Sequence, residues 1–436
     1  MLKEKKIIIL IALCALVFRL CLFVIGSVKE ERFLYADSIR YLTTAKGIIQ
    51  NGIMKPDGNS VDMLSAPLYP LFCALLLKIF SSIKAIMLIQ NLLGMIICIL
   101  VYRLGKAVFG RKVGYIASFI YAVDILSVIH TNTLQTETLF TLFFISSIYL
   151  FILFLNKQKI KYLIFSSFLL GISVMTREVA MYFFLIGIIS LIIKYSKKMK
   201  LLFSYAVLYM FIFLMLPFIW SYKNYIYTKT FALNYKAEIA LYASIFSQSE
   251  LAKTKGDYGE IWAKYVKEID DLYNKYENKN IWLNELRKKI SNKIISEPTL
   301  FIKGYTKGMI RMLINVPRAE FVFITGLPYS GRLGFLLDYA DFNNVLNVIK
   351  QMHPIVILFV IYSLFINFTL LIFSLKTFFS FFEFNQKKKL LTCFLFLVVI
   401  YFVLLSTGSN AVSRFKVPII PVLCILAGSG IYGKDI

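Results

Sequence analysis

Charged residues are scarce in this chain and make up only 17% of its 436 residues. Soluble globular domains are nearer a quarter charged and half apolar. Here 59% of the residues are hydrophobic, and the mean hydropathy is +0.72. The sequence also lacks internal repeats, low-complexity tracts and a nucleotide-binding fingerprint. These features exclude an ordinary soluble domain, and no ATP site is visible.

Cysteine is also sparse, and its placement excludes two kinds of site. All six cysteines lie within apolar runs, and no CxxC spacing occurs. Neither disulfide bonds nor a thiolate metal site is therefore indicated. The first apolar segment contains Arg19 and lacks a small-x-small cleavage site, so we expect it to be retained rather than removed as a secretory signal.

Apolar stretches long enough to cross a bilayer recur along the chain. About 20 residues of helix span the hydrocarbon core, and these stretches lack the period-two alternation of barrel strands. The sequence therefore predicts an all-α polytopic membrane protein of about 10–11 transmembrane helices. The predicted crossings lie near 7–28, 84–102, 113–129, 138–155, 161–176, 179–194, 201–220, 352–375, 390–406 and 416–432.

The net charge of +25 comes largely from short gaps between the apolar runs. Cytoplasmic loops carry such an excess of lysine and arginine, so the charge predicts orientation in the cell membrane rather than nucleic-acid binding. With both termini in the cytoplasm, every basic gap falls on the cytoplasmic side. These gaps contain Lys3, Lys5 and Lys6; Arg103, Lys106, Arg111 and Lys112; Lys157, Lys159 and Lys161; Lys194, Lys197, Lys198 and Lys200; and Lys376 with Lys387 to Lys389.

Two regions remain on the outer side. Residues 29–66 form a charge-balanced loop within a transmembrane module spanning 1–220. Residues 221–350 are more polar than the rest and form a mainly helical extracytoplasmic region, followed by transmembrane helices in 351–436. Residues 67–83 are apolar but short, so we expect a helix that lies in or dips into the outer interface.

The first outer loop contains a compact group of polar side chains. Residues 37–41 open an amphipathic helix for which Gly52 is a plausible terminator. Asp37 therefore shares a helix face with Arg40 and Tyr41, its i+3 and i+4 neighbours. An acid at this position is often only a helix cap with a local ion pair. A catalytic carboxylate is the alternative.

Other ionisable residues recur near the outer ends of the predicted crossings. Charges at membrane depth are costly and tend to mark function or a paired partner. A structural ion pair is an alternative for Arg19 with Asp124, and for Arg177 with Glu178 or Glu137. Together these residues favour a polar cavity that opens outward. The residues are Asp124, His130, Glu137, Arg177, Glu178, Lys223 with Asn224, and Arg414.

Several short motifs resemble the GT-C membrane glycosyltransferases that use polyprenyl-phosphate sugars. The similarity is to the protein O-mannosyltransferases and the lipid A aminoarabinose transferases. It runs through residues 7–235 and returns at 406–430. The motifs are ADSIRY at 36–41, APLYPLF at 66–72, LVYRLGKAVFGRKVGYIASFIYAVD at 100–124, LQTETLF at 134–140, MTREVA at 175–180, PFIWSYKNY at 217–225 and SRFKVPIIPVLCILAGSG at 413–430.

This resemblance implies roles for individual residues. Asp37 would be the catalytic carboxylate, and the donor lipid phosphate would be bound by Arg40, Tyr41, Arg177, Arg414 and Lys223. Glu137, His130, Asp124 and Asn224 would line the cavity. Ser38 stands where many relatives have a second acid, and Ser65 where some have a lysine. A divalent cation, Mg²⁺ or Mn²⁺, near Asp37 therefore stays an open question, and no metal ligand is assigned.

The implied function is an inverting sugar transfer from a polyprenyl-phosphate donor, with Asp37 as base. The acceptor would be a glycolipid, a glycan or a protein at the extracytoplasmic face, and no nucleic acid would take part. Three alternatives stay open at this stage. They are a transporter or flippase of lipid-linked sugars, a glycan polymerase or ligase, and a non-catalytic scaffold.

Overall fold

The computed structural model describes residues 2–52, 54, 65–254, 256–328, 347–405 and 412–433. Within these ranges every regular element is a helix, as lipid requires of chains that do not form barrels. Parts of the two predicted outer regions, 55–64 and 329–346, and the motif residues 406–411 lie outside the described residues.

The α-helices are numbered in chain order. They are α1 (Leu2–Gly26), α2 (Ser38–Asn51), α3 (Leu68–Phe80), α4 (Ile83–Phe109), α5 (Arg111–Val123), α6 (Ile125–Thr131), α7 (Glu137–Lys157), α8 (Ile160–Thr176), α9 (Phe184–Tyr195), α10 (Met199–Thr228), α11 (Lys236–Thr254), α12 (Tyr258–Lys275), α13 (Lys279–Ser296), α14 (Pro298–Ile314), α15 (Arg318–Thr325), α16 (Pro354–Phe379), α17 (Gln386–Leu405) and α18 (Ile420–Tyr432). Short 3-10 segments cover Glu30–Phe33, Glu178–Ala180, Ser380–Glu383 and Ser413–Ile419.

The described residues contain eight helical stretches long and apolar enough to cross a membrane. The pair α5 and α6, bent by 57° at residue 124, supplies a ninth. The predicted crossing at 161–176 corresponds to α8, which is apolar but has only 17 residues. All ten predicted crossings thus coincide with apolar helices, and the prediction of an all-α, multi-pass membrane protein is confirmed. Residues 67–83 form the short apolar helix α3, which has 13 residues.

Helix α10 continues past residue 220, where the predicted crossing ended, and runs to Thr228 with Pro217 in its interior. The outer loop helix α2 begins and ends close to the prediction. Gly52 closes it with a φ of +68°, a left-handed conformation that glycine adopts without steric cost, and its N–H donates to the Ile48 carbonyl oxygen.

Aromatic side chains fill the centre of the helical bundle around α7. Phe144 packs edge-on against Phe183 and Phe402, with ring centroids 4.8 and 5.1 Å apart. Such pairs stabilise a core beyond the burial of their area, by about 0.5–1.5 kcal/mol each. They fix α7, and with it the first residue of that helix, Glu137, against the residue before α9 and against α17.

Arg19 of α1 is fully buried, yet it does not pair with Asp124 as one sequence interpretation held. Its guanidinium donates to the Ala15 carbonyl oxygen at 2.9 Å and to the Ser127 hydroxyl at 3.1 Å. Asp124 instead accepts the Ser127 backbone N–H at 2.8 Å and caps α6 at the bend. Both residues therefore hold the bend through Ser127. Gly94 leaves room for this arginine, since a Cβ there would overlap the Arg19 side chain.

Helices α11 to α13 form a unit with a core of its own outside the apolar bundle. Trp282 is 1% exposed and packs edge-on against Tyr235 and Tyr273 at 5.0 and 5.1 Å. Leu286 and Tyr242 complete this core. The lysine-rich stretch 263–293 lies in α12 and α13, where Lys264 and Lys289 bind Glu250 and Glu268 at the surface. We call residues 236–296 the outer helical unit.

Candidate active site

Asp37 lies where the chain turns from the first loop into α2. Ala36, at this turn, has a φ of +53°, an uncommon conformation for a residue with a Cβ. Asp37 precedes the helix but makes no side-chain capping hydrogen bond. The capping interpretation of this acid is therefore wrong for its side chain, and the carboxylate is available to other groups.

The turn is held against the loop that precedes α7. The Leu134 N–H donates to the Phe33 carbonyl oxygen at 2.9 Å, and the Gln135 side chain donates to the Tyr35 carbonyl oxygen at 3.1 Å. Asp37, just before α2, and Glu137, the first residue of α7, therefore follow two chain segments that are bonded to each other.

The Asp37 carboxylate is bound by three cations from separate parts of the chain. Its Oδ2 accepts from Arg414 at 3.1 Å and from Lys236 at 3.3 Å, and its Oδ1 lies 3.5 Å from Arg40. Burial alone would raise the pKa of this carboxyl. The charges of Lys236, Arg414 and Arg40 outweigh burial and hold the pKa well below its usual range. The carboxylate is thus ionised at neutral pH.

Lys236 was not identified from the sequence, and the loop after α10 explains its position. Asn224 donates to the carbonyl oxygens of Ala232 and Leu233 at 2.9 and 3.0 Å. Asn234 then donates to Glu178 at 3.4 Å and accepts the Lys236 backbone N–H at 3.2 Å. Asn224, predicted to line the cavity, is buried and shapes the loop that delivers Lys236.

The two predicted outer arginines meet at one aromatic ring. The guanidinium carbons of Arg414 and Arg177 lie 5.4 and 5.7 Å from the centre of the Phe415 ring. Arg177 also forms an ion pair with Glu137 at 2.5 Å. The sequence left Glu178 and Glu137 open as partners of Arg177. The structure pairs Arg177 with Glu137, and Glu178 instead accepts from Asn234. The Nε of Arg414 is buried and meets no hydrogen-bond partner among the described residues.

A second polar layer lies behind this cluster. His130 is fully buried at the end of α6, near Glu137, Arg414 and Arg177. Glu320 of α15 is 7% exposed, and it lies near Arg414 and Glu137. Burial raises the pKa of Glu320, against the opposing charge of Arg414. Glu320 was not identified from the sequence, because it lies in a short helix far along the chain from Asp37.

Three predicted site residues serve other contacts in the structure. Tyr41 is 5% exposed, and its ring supports the Arg40 guanidinium at 5.3 Å while packing edge-on against Tyr69. Lys223 stacks over the Trp220 ring at 4.3 Å. Asp124 caps α6, as described above. The structure therefore brings Asp37, Arg40, Arg177, Arg414, Glu137 and His130 together, whereas the contacts of Lys223 and Asp124 lie elsewhere.

Comparisons with known proteins match both the sequence and the fold. Residues 65–220 match a family model described as dolichyl-phosphate-mannose-protein mannosyltransferase. The Archaeoglobus fulgidus oligosaccharyltransferase in its apo form aligns with a TM-score of 0.53 at 13% identity, over 97% of this chain and 50% of that one. The same enzyme, AglB, solved with an inhibitory peptide and a dolichol-phosphate, gives a TM-score of 0.52 at 13% identity over the same shares of the two chains. The fold is that of a GT-C glycosyltransferase.

The GT-C resemblance predicted from the motifs is thereby confirmed. This chain spans about half the length of the archaeal enzyme. ArnT from Cupriavidus metallidurans, solved with undecaprenyl phosphate, aligns with a TM-score of 0.44 at 10% identity, over 96% of this chain and 60% of that one. A search of curated protein sequences returned no match.

The archaeal enzyme has also been solved in complex with Zn and sulfate, so the fit of a metal to this GT-C site can be tested. Divalent cations such as Mg²⁺ require several oxygen ligands. The charged partners of Asp37 among the described residues are instead cations, and the residue that follows it is Ser38. Across the described ranges, no group of three His, Cys, Asp or Glu residues is arranged to hold an ion. The residues around Asp37 therefore do not fit a divalent cation.

The ion pair of Arg177 and Glu137 can be tested by substitution. Glu137 is 2% exposed, so replacing Arg177 by Met leaves a buried charge without its partner. Such a loss destabilises by about 3–5 kcal/mol. We expect a clear drop in the thermal unfolding temperature of purified Arg177→Met in detergent.

The double variant Arg177→Met with Glu137→Gln removes both charges and is the matched control. We expect it to recover most of the lost stability, since no isolated charge remains. A double variant no more stable than Arg177→Met would contradict the pairing.

Proposed function

We propose that this protein is a membrane glycosyltransferase that moves a sugar from a polyprenyl-phosphate donor to an acceptor at the extracytoplasmic face. The proposal rests on an ionised carboxylate, Asp37, that is held among Lys236, Arg414 and Arg40 at one end of a GT-C fold. A carboxylate suits proton abstraction, and clustered cations suit a phosphate leaving group.

The comparisons support the donor class. The matching family description names a dolichyl-phosphate sugar, and the archaeal enzyme of this fold has been solved with dolichol-phosphate. The family match covers residues 65–220, which include Glu137 and Arg177. We infer that a lipid phosphate of this kind approaches the guanidinium groups next to Asp37.

The proposed transfer is a single displacement. The acceptor oxygen or nitrogen attacks the anomeric carbon and gives its proton to the Asp37 carboxylate. The bond from that carbon to the phosphate oxygen breaks, and its electron pair stays on the departing polyprenyl phosphate. Attack on the face opposite the leaving group inverts the anomeric centre. The leaving phosphate needs little protonation, so one acid suffices.

The arginines are proposed to bind the phosphate. Arg414 and Arg40 lie on opposite oxygens of Asp37, and Arg177 shares the Phe415 ring with Arg414. Guanidinium donors match phosphate oxygens in pairs. Tyr41 would hold the Arg40 side chain in place. Lys223 stacks on Trp220 apart from this cluster, so we assign it no part in the transfer step.

We infer the orientation of the chain in the membrane from the helix ends that carry the basic gaps. Glu4 at the start of α1 binds Tyr102 and Lys106 near the end of α4, so these ends lie together. Asp37 follows the other end of α1, and Glu137 begins α7 at the end opposite Lys157. Because lysine and arginine favour the cytoplasmic side, we place Asp37 and the outer helical unit outside the cytoplasm.

Replacing the proposed base tests the reaction. Asp37→Asn keeps the shape of the side chain but cannot accept a proton, and loss of a general base costs about 10²–10⁴-fold in rate. Cells that express only this variant should lack the same glycan or lipid species as cells without the protein. Mass spectrometry of envelope lipids and glycans measures this.

Asp257→Asn is the control. Asp257 caps α12 through the Glu260 backbone N–H at 3.0 Å, and asparagine can replace it as a cap. Its product species should match the wild type. Unchanged products in Asp37→Asn cells would remove Asp37 from the catalytic role, and unchanged products in cells lacking the protein would refute the proposed transfer.

Cysteine labelling tests the orientation. Lys253 in α11 is 67% exposed, and Lys159 between α7 and α8 is also exposed. In a background without the six native cysteines, Lys253→Cys should react with a membrane-impermeant maleimide in intact cells. Lys159→Cys should react only after permeabilisation. The reverse pattern would place the Asp37 end in the cytoplasm and refute the proposed orientation.

A further inference from the structure

Lys236 differs from the other cations at Asp37 because it comes from the outer helical unit rather than the apolar bundle. It is the first residue of α11, and it lies 199 positions along the chain from the acid that it binds. We propose that Lys236 binds the donor phosphate, and that it leaves the Asp37 carboxylate when the phosphate arrives, so that lipid binding unmasks the base. This inference rests on the proposed function and adds a residue and an order of events to it.

The structure presents a base that is occupied before any substrate is bound. Lys236 and Arg414 both contact Oδ2 of Asp37, and Arg40 lies near Oδ1. The acceptor proton must reach one of these oxygens. A carboxylate bound by three cations holds a proton weakly, as the lowered pKa of Asp37 indicates. At least one cation must therefore move for Asp37 to act as a base.

The charges that change during sugar transfer favour the movement of a cation from the carboxylate to the phosphate. The donor is a phosphodiester with one negative charge, and the departing polyprenyl phosphate is a monoester that carries a further charge. Asp37 loses its negative charge as it takes the proton. Negative charge therefore passes from the carboxylate to the phosphate, and a cation that can reach both groups is favoured at the phosphate as the reaction proceeds.

Lys236 is better suited to this exchange than Arg414. The Arg414 side chain is 18% exposed and stacks on Phe415, within the short 3-10 segment that precedes α18. Two residues later in that segment, Lys416 is bonded to the Leu313 carbonyl oxygen and to Asn367. Lys236 is 31% exposed, and a lysine carries a compact ammonium on a flexible stem. The lysine can swing while the arginine stays in place.

The backbone that carries Lys236 is fixed, so the movement belongs to its side chain. Asn224 and Asn234 bond the loop before α11 to the end of α10 and to Glu178. The ammonium therefore pivots about a held Cα. A phosphate that draws it from Oδ2 must lie within the reach of one lysine side chain from that point.

Binding of undecaprenyl phosphate to the purified full-length protein tests the exchange, with undecaprenol as the probe that lacks the phosphate. Lys236→Gln should bind the phosphate probe about ten- to a hundredfold more weakly, the loss of a hydrogen bond to a charged group. Lys236→Arg keeps the charge and should stay close to the wild type. Lys253→Gln removes an exposed charge from the same helix, far from Asp37, and should change nothing.

Asp37→Asn gives the opposite result in the same assay. The neutral amide no longer competes with the phosphate for Lys236 and Arg414, so this variant should bind undecaprenyl phosphate about three- to fivefold more tightly. The affinity for undecaprenol should be the same in all variants. This gain does not depend on how well Lys236→Gln folds.

Equal affinity of the wild type and Lys236→Gln for undecaprenyl phosphate would overturn the inference, and so would weaker binding by Asp37→Asn. These results are separable from the proposed function. If the glycan products depend on Asp37 but Lys236→Gln binds undecaprenyl phosphate as the wild type does, the movement of Lys236 is refuted and the proposed glycosyltransferase function stands. If the variants bind as predicted but cells lacking the protein show no change in glycans, the proposed sugar transfer is refuted and only a lipid-phosphate binding site remains.

Discussion

The ion cluster at Asp37 is the interaction on which the rest of the site depends. A carboxylate that is 25% exposed is held by cations from α2, from the start of α11 and from the segment before α18. Like charges within one site repel, so Lys236, Arg414 and Arg40 remain together because the carboxylate lies among them. Asp37 is therefore the residue at which three parts of the chain meet: the bundle, the outer helical unit and the segment before α18.

The fold keeps this cluster in place by means that do not involve the reacting groups. The bend at Asp124 is held through Ser127 and Arg19, and Lys416 links the end of α14 to α16. Buried charges of this kind are costly unless fully bonded. Here these bonds hold the helices in place relative to one another. Arg414 can therefore face Asp37, and Glu137 can face Arg177.

Much of this architecture could be predicted from the sequence, since hydropathy locates apolar helices and the i+3 spacing brings Arg40 to Asp37. The motifs also pointed to Arg177, Arg414 and Glu137, but two residues that join the cluster in the folded chain could not be predicted. Lys236 follows a loop without a strong pattern, and Glu320 lies in a helix of eight residues. Lys223 and Asp124 carried the right charge at the right depth, but a neighbouring Trp220 ring and the Ser127 N–H bind them instead.

The most direct test of the central claim is a structure of the protein with undecaprenyl phosphate bound. We expect the phosphate within hydrogen-bond distance of both Lys236 and Arg414, with the Lys236 ammonium moved away from Oδ2 of Asp37. A phosphate bound far from Asp37, or one bound nearby while Lys236 still contacts the carboxylate, would contradict it.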